Sequence, residues 1–163
     1  MLVEGDVISI DVSLYKDGFH GDNCGTVIVG SASSSSSGGG SGNVVVDKEA
    51  EKLVDATRDA LMEAISIVKP GVCLSRIGEV IQSSAFSKDF RVIHEFLGHG
   101  TGPILHMSPL VRHYKNTERL EIKKGMLFTI EPILVEGSRR IIVWKDGWTA
   151  ATADGGRGAQ VRS

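Results

Sequence analysis

The sequence has few of the features that mark a secreted, membrane-spanning or nucleic-acid-binding protein. Only two cysteines, Cys24 and Cys73, occur in 163 residues, which argues against a disulfide framework and favours a reducing compartment. No apolar stretch approaches the roughly 20 residues that span a bilayer. The formal net charge of −2 makes a polyanion or an anionic membrane surface an unexpected partner. We therefore predict a cytoplasmic protein that binds neither nucleic acid nor membrane.

The remaining composition is that of an ordinary globular protein, with 41% hydrophobic and 23% charged residues. A chain of 163 residues suits one domain or part of a larger one. Residues 31–43 are almost entirely serine and glycine and have no apolar side chains to bury. Because the apolar pattern resumes directly afterwards, we predict one partial domain over residues 1–163, interrupted by a flexible, dispensable insertion at 31–43.

A two-stranded hairpin is predicted near the beginning of the chain. Residues 7–15 alternate between apolar and polar side chains, a pattern typical of a half-buried strand. Asp17-Gly18 is a strong signal for a two-residue hairpin turn, and residues 19–29 form the predicted return strand.

Two helices and several short strands are predicted for the rest of the chain. Apolar residues recur at three- and four-residue spacing from Asp47 to Val68, and Pro70-Gly71 ends this helix. A shorter second helix is predicted to begin at a capping Ser75. Further strands are predicted at residues 90–94, 126–131, 141–144 and 148–152. Strands, two helices and then strands indicate an α+β fold with an antiparallel sheet.

Two aspartates of the predicted hairpin share one face. With Asp17-Gly18 as the turn, Asp22 lies opposite Ser13 and diagonal to Asp11; with Lys16-Asp17 as the loop, it lies directly opposite Asp11. Either register leaves the carboxylates roughly 5–8 Å apart. Two anions this close repel each other unless a cation lies between them, and hard divalent ions suit that position. The simpler alternative is that both carboxylates face solvent.

A histidine pair and a third carboxylate add to this set. His99 lies between two glycines, which allow close approach of the backbone to a ligand, and His106 follows seven residues later. Glu131 lies on the polar face of a predicted strand that ends or bends at Pro132. Structural histidines and a surface glutamate are the plain alternatives. Together the residues supply three carboxylates and two imidazoles, which suits water activation between two metals about 3.5–4 Å apart.

The sequence motifs around these residues resemble those of type I methionine aminopeptidase. The motifs are Ile10-Asp11-Val12, Lys16-Asp17-Gly18-Phe19-His20-Gly21-Asp22, Gly98-His99-Gly100-Thr101-Gly102, Phe128-Thr129-Ile130-Glu131-Pro132 and Lys145-Asp146-Gly147-Trp148-Thr149. The resemblance implies an incomplete pita-bread fold: the C-terminal half plus the central hairpin, built as a curved antiparallel sheet with two helices. It also implies removal of N-terminal methionine from nascent polypeptides, with the ribosome as a further partner.

The resemblance also implies two divalent metal ions (Co, Mn, Fe or Zn) and their ligands. Asp11 would hold one ion, Asp22 would bridge both, and His99 and Glu131 would hold the other. Glu131 would also be the general base.

The same resemblance implies residues that contact the substrate. His106 would donate a hydrogen bond to the substrate carbonyl as it becomes an oxyanion. Trp148 and Leu105 would line the methionine pocket, with Leu105 at a position where an aromatic residue is usual.

The sequence departs from the family at its last residues. Val161 and Arg162 stand where the family has an aromatic residue and a bridging glutamate, and arginine cannot ligate a cation. We therefore expect one weakly bound ion instead of two. The resemblance further implies a chain truncated at both ends, with exposed strand edges and a tendency to associate. An inactive pita-bread remnant that binds metal weakly, or binds a protein, is the alternative function.

Overall fold

The computed structural model describes residues 1–30 and 47–163, so the predicted insertion at 31–43 lies outside the described residues. The elements, in chain order, are β1 (Val7–Lys16), β2 (Phe19–Ile28), α1 (Lys48–Ser66), α2 (Ser75–Ser87), β3 (Arg91–Val92), β4 (Gly98–Gly100), β5 (Met107–Val111), β6 (Ile133–Val135), β7 (Ile141–Val143), β8 (Ala150–Thr152) and β9 (Gly158–Gln160). The pairs β1–β2, β4–β5 and β7–β8 and the three-stranded sheet β3–β6–β9 are all antiparallel. The α+β prediction is confirmed.

The first hairpin turns at Asp17-Gly18. Lys16 pairs with Phe19, and the two turn residues have φ angles of 52° and 88°. Positive φ at both central positions is the backbone of a type I′ turn, which asparagine, aspartate and glycine favour. Ser13 therefore lies opposite Asp22, which is the first of the two registers that the sequence allowed.

One face of this hairpin is uncovered by the described residues. The exposed apolar side chains on it are Ile10, Val12, Leu14, Phe19 and Val27. The prediction of a half-buried β1 is wrong. The buried residues of the hairpin are Cys24, Thr26 and Ile28, which all belong to β2 and lie on the opposite face.

Two helices pack against the three-stranded sheet β3–β6–β9 and supply nearly half of the buried core. α1 begins at Asp47, whose side chain accepts a hydrogen bond from the Glu49 amide at 2.9 Å. The predicted cap of α2 is wrong: Ser75 is the first helical residue, and Leu74 is the N-cap without a side-chain bond. The Leu74 amide instead donates to the Leu120 carbonyl at 2.9 Å, which fixes the start of α2. No described helix is long and apolar enough to cross a membrane.

The segment before Pro132 is extended but is not the predicted strand 126–131. Phe128 forms a single bridge with Gly100, whereas the Ile130 amide donates to Ser163 on another segment at 3.0 Å. Because its partners change within two residues, no continuous ladder forms, and β6 begins only after the proline. The predicted strand at 90–94 is likewise reduced to Arg91–Val92. Sequence analysis missed β9, whose glycine, alanine and glutamine carry no apolar alternation.

Candidate metal and substrate site

Pairing across three segments places Asp11, Asp22 and Arg162 on one face. Asp11 lies opposite Cys24 in the hairpin, and Cys24 lies opposite Arg162 on its other side. The Arg162 amide donates to the Cys24 carbonyl at 2.9 Å, and the Cys24 amide returns a longer bond of 3.4 Å. Residues opposite each other in antiparallel strands share a face, as do residues two apart along a strand.

His99 enters the site from β4, where its flanking glycines approach other backbone closely. A Cβ atom on Gly98 would lie 2.3 Å from the Thr129 carbonyl oxygen, and one on Gly100 would lie 2.2 Å from the Ser108 carbonyl oxygen. Only glycine fits such contacts. The His99 Nδ1 atom lies 3.2 Å from the Gly100 carbonyl oxygen, to which it can donate a hydrogen bond. The Nε2 atom faces the carboxylates.

Glu131 is held by two buried neighbours to which sequence analysis assigned no role. The Thr129 hydroxyl donates to Glu131 Oε1 at 2.6 Å, and the Glu131 amide donates to His113 Nε2 at 3.0 Å. Burial lowers the pKa of His113 to about 3, so its ring stays neutral and can accept that bond. His113 follows the apolar Val111 by two residues, and residues two apart in an extended segment share a face. This spacing is the signal that could have indicated the inward position of His113, since both residues are buried.

Arg162 lies at the centre of the carboxylates. Its Nη1 donates to Asp11 Oδ1 at 2.9 Å and to Asp22 Oδ1 at 2.5 Å, and its Nη2 donates to Glu131 Oε2 at 2.7 Å. The exposed side-chain fractions are 11% for Arg162, 1% for Asp22, 5% for Glu131 and 46% for Asp11. Burial opposes the charge on Arg162, but Glu131 and Asp22 outweigh it and raise the pKa of the guanidinium. The cation is therefore permanent.

Three buried polar atoms of the site have no hydrogen-bond partner among the described residues: Asp22 Oδ2, His99 Nε2 and Arg162 Nε. His99 Nε2 lies 3.4 Å from Asp22 Oδ2 and 3.4 Å from Glu131 Oε1. Neighbouring ligands around a tetrahedral ion with bonds of about 2.1 Å stand about 3.4 Å apart. The two distances to His99 Nε2 therefore match the ligand spacing of one divalent ion.

The same site does not fit two ions. Arg162 fills the space between the first aspartate and the other carboxylates, where a second ion would need ligands. Within residues 1–30 and 47–163, no group of three or more His, Cys, Asp or Glu side chains is already arranged to hold even one metal ion. An ion must therefore draw the His99, Asp22 and Glu131 side chains together against the neighbouring guanidinium.

A cavity of about 730 Å³ opens beside these groups. Its polar end is formed by Asp11, Glu131 and Arg162, and its apolar walls come from β6, β7, β8 and β9. Of the residues expected to contact substrate, His106 and Trp148 line the cavity, whereas Leu105 is not among its lining residues.

His106 and Trp148 differ in how firmly they are held. The His106 and His99 ring centroids are 4.3 Å apart in an edge-on arrangement, which places His106 beside the carboxylates. Trp148 is 90% exposed and forms the rim of the cavity. Burial and the Asp11 carboxylate raise the pKa of the nearby Cys24 thiol to about 11, so it remains protonated at neutral pH.

Comparison with known proteins gives consistent relatives. The model of metallopeptidase family M24 matches residues 1–162. Methionine aminopeptidase 1D, chloroplastic/mitochondrial, of Arabidopsis thaliana is 40% identical over 159 residues, which cover 98% of this chain and 41% of that protein. A methionine aminopeptidase of Buchnera aphidicola is 39% identical over 158 residues, 96% of this chain and 54% of that protein.

Solved structures give the same result. The methionine aminopeptidase of Rickettsia prowazekii superposes with a TM-score of 0.87 at 35% identity, covering 99% of this chain and 60% of the other. A prolidase of Pyrococcus furiosus, at 19% identity and a TM-score of 0.67, shares the fold. The expected pita-bread fold is confirmed. The chain spans about half the length of the curated relatives it matches.

Proposed function

Because the chain belongs to metallopeptidase family M24, we propose that it is a metal-dependent aminopeptidase that removes methionine from peptide N-termini. The observation that carries the proposal is the convergence of His99, Asp22 and Glu131 beside an apolar cavity. Relatives named methionine aminopeptidase, at about 40% identity along nearly the whole chain, support methionine as the residue removed.

We assign one weakly bound divalent ion to His99, Asp22 and Glu131, with Mn, Co, Fe and Zn as the candidate metals. When bound, the ion supplies Lewis acidity for hydrolysis of the peptide bond. Asp11 is the remaining family ligand, but its carboxylate is engaged by Arg162. The neighbouring cation is the reason that we expect weak binding.

The chain's own residues then divide the work of binding and proton transfer. Glu131 is the proposed general base, and the Thr129 hydroxyl and the neutral His113 fix its orientation. His106 is the proposed donor to the substrate carbonyl. Trp148 at the rim and Leu105 in the adjoining loop are the proposed contacts for the methionine side chain.

One observation favours a second function. Arg162 already satisfies oxygens of three carboxylates, which can leave the site without a bound ion. A metal-free site beside an apolar cavity would bind a peptide N-terminus without cleaving it. Such a chain would be a protein-binding module of the same fold.

Hydrolysis of a Met-Ala-Ser peptide, measured with metal analysis of the purified protein, separates the two functions. We expect release of methionine in the presence of Mn²⁺ or Co²⁺, and its loss in the Glu131→Gln variant. The N-acetylated peptide is the matched control substrate and should stay intact. Tight binding of the free peptide without any methionine release would refute the aminopeptidase and establish the binding module.

The cellular setting is a further proposal. We propose action on nascent chains in the cytoplasm, close to the ribosome. The names of the Arabidopsis and Danio rerio relatives assign those proteins to organelles, so localisation has to be measured on this protein. Fractionation of cells expressing a tagged chain, with a ribosome pellet, provides the measurement; a chain confined to mitochondria or plastids would contradict the cytoplasmic assignment.

A further inference from the structure

Asp22 and Glu131 each present their two oxygens to different neighbours. Asp22 Oδ1 and Glu131 Oε2 accept hydrogen bonds from Arg162. Asp22 Oδ2 and Glu131 Oε1 instead face His99 Nε2, at 3.4 Å each. Both carboxylates are therefore in a bridging position, with a guanidinium on one side and an imidazole nitrogen on the other.

We infer that Arg162 is a built-in cation of this site, and that the site is a hybrid centre holding the guanidinium and one divalent ion at the same time. The inference rests on the proposed function for its metal, and goes beyond it by assigning Arg162 a place in the occupied centre. Arg162 is a positioning residue: it orients the two carboxylates and offsets part of their charge.

The charge count supports this arrangement. Asp11, Asp22 and Glu131 carry three negative charges, and Arg162 carries one positive charge, which leaves two negative charges. One divalent ion neutralises that remainder, whereas a second ion would leave the centre with an excess of positive charge. An ion on the His99 side would also meet Asp22 Oδ2 and His99 Nε2, which are two of the three buried atoms of the site without a hydrogen-bond partner; the third is Arg162 Nε, a donor.

Backbone hydrogen bonds fix the position of Arg162 independently of its side-chain contacts. Arg162 is bonded to Cys24 through both its amide and its carbonyl, and the next residue, Ser163, is bonded in both directions to Ile130. The Arg162 side chain lies between the two segments that carry Asp22 and Glu131. Departure of the Arg162 side chain from the ion-bound centre would leave Asp22 Oδ1 and Glu131 Oε2 buried without their donors, and three carboxylate charges with only one divalent ion, which is unfavourable. Binding of an ion on the His99 side therefore leaves Arg162 where it is.

Counting bound ions in matched variants tests the inference. We expect Mn²⁺ titration, followed by calorimetry and electron paramagnetic resonance, to give one ion per wild-type chain. Arg162→Lys keeps the charge and should also give one. Arg162→Glu exchanges the cation for a carboxylate and should give two. Arg140→Glu changes the net charge equally at an exposed position outside the site and should keep one.

Arg162→Gln is the second variant, used if Arg162→Glu does not fold. Arg162→Gln removes the positive charge and should tighten binding of the first ion roughly tenfold to hundredfold, for a unit charge a few ångströms away. Helix signals in circular dichroism establish that each variant is folded before titration.

Simultaneous occupancy is tested by nuclear magnetic resonance of arginine-labelled protein titrated with diamagnetic Zn²⁺. We expect the slowly exchanging guanidinium signals of Arg162, assigned with Arg162→Lys, to persist in the zinc-bound form. Loss of these signals on zinc binding, two ions or none in the wild type, or one ion in folded Arg162→Glu would each overturn the inference. A chain that binds one ion but leaves Met-Ala-Ser intact would instead overturn only the proposed function.

Discussion

Replacement of Arg162 by methionine should be among the most destabilising single changes in this chain. Methionine keeps an apolar stem but removes the cation from Asp22 and Glu131, whose side chains are only 1% and 5% exposed. Removing one partner of a buried ion pair costs about 3–5 kcal/mol, because the other charge is left uncompensated. The contact with the half-exposed Asp11 adds less than about 1 kcal/mol.

Urea unfolding followed by circular dichroism at the helix signal measures this loss in metal-free protein. For a chain of this size, about 3–5 kcal/mol corresponds to a fall in Tm of roughly 6–20 °C. Arg58→Met is the matched control, because Arg58 pairs with Asp55 at an exposed site and its loss should change the free energy of unfolding by less than about 0.5 kcal/mol. A loss below about 1 kcal/mol for Arg162→Met would refute a buried, charge-compensating role.

Three further outcomes are expected. His113→Gln should remove a pH dependence of the free energy of unfolding. Burial depresses the pKa of His113 in the folded protein to about 3, so the wild type loses stability as the pH drops from about 6.5 towards 3. Urea unfolding of both proteins across that range should show the difference. Gly100→Ala should lower stability by at least about 2 kcal/mol and weaken Mn²⁺ binding, since its Cβ would lie 2.2 Å from a backbone oxygen; Gly21→Ala, with open space around it, should do neither. Deletion of residues 31–42 should leave the Mn²⁺ affinity measured by calorimetry unchanged, and a marked loss would show a role for that segment.

Local chemistry was sufficient to predict the hairpin and the helices, but it left two registers open for the hairpin. Asp17-Gly18 tolerates the positive φ that its turn demands, and the structure has the register in which Ser13 lies across from Asp22. The apolar spacing of α1 is equally local, and its predicted span differs from the observed one by one or two residues at each end. These features depend on neighbours within a few residues along the chain.

Features that depend on distant partners were not predictable in the same way. The segment 126–131 alternates like a strand, but its bonding partners change from β4 to the last residue of the chain. The exposure of the apolar face of β1 depends on which side of the hairpin the rest of the chain covers. Arg162 was recognised as unable to ligate a metal, yet its position among the carboxylates follows only from its pairing with Cys24.

The candidate site shows the same contrast between features that local sequence predicts and features that depend on distant partners. Motif wording indicated Asp11, Asp22, His99 and Glu131 as candidates, and their proposed roles still require the experiments above. The contact of His113 with Glu131 had no sequence signal, because the bond from the Glu131 amide to His113 joins residues 18 positions apart.

Anomalous diffraction from crystals grown with Mn²⁺ tests the central claim most directly. The account predicts one manganese peak per chain, within about 2.0–2.3 Å of His99 Nε2, Asp22 Oδ2 and Glu131 Oε1, with Arg162 still bonded to Asp22 Oδ1. Two peaks, or a single peak where the guanidinium now lies with Arg162 turned away, would contradict it.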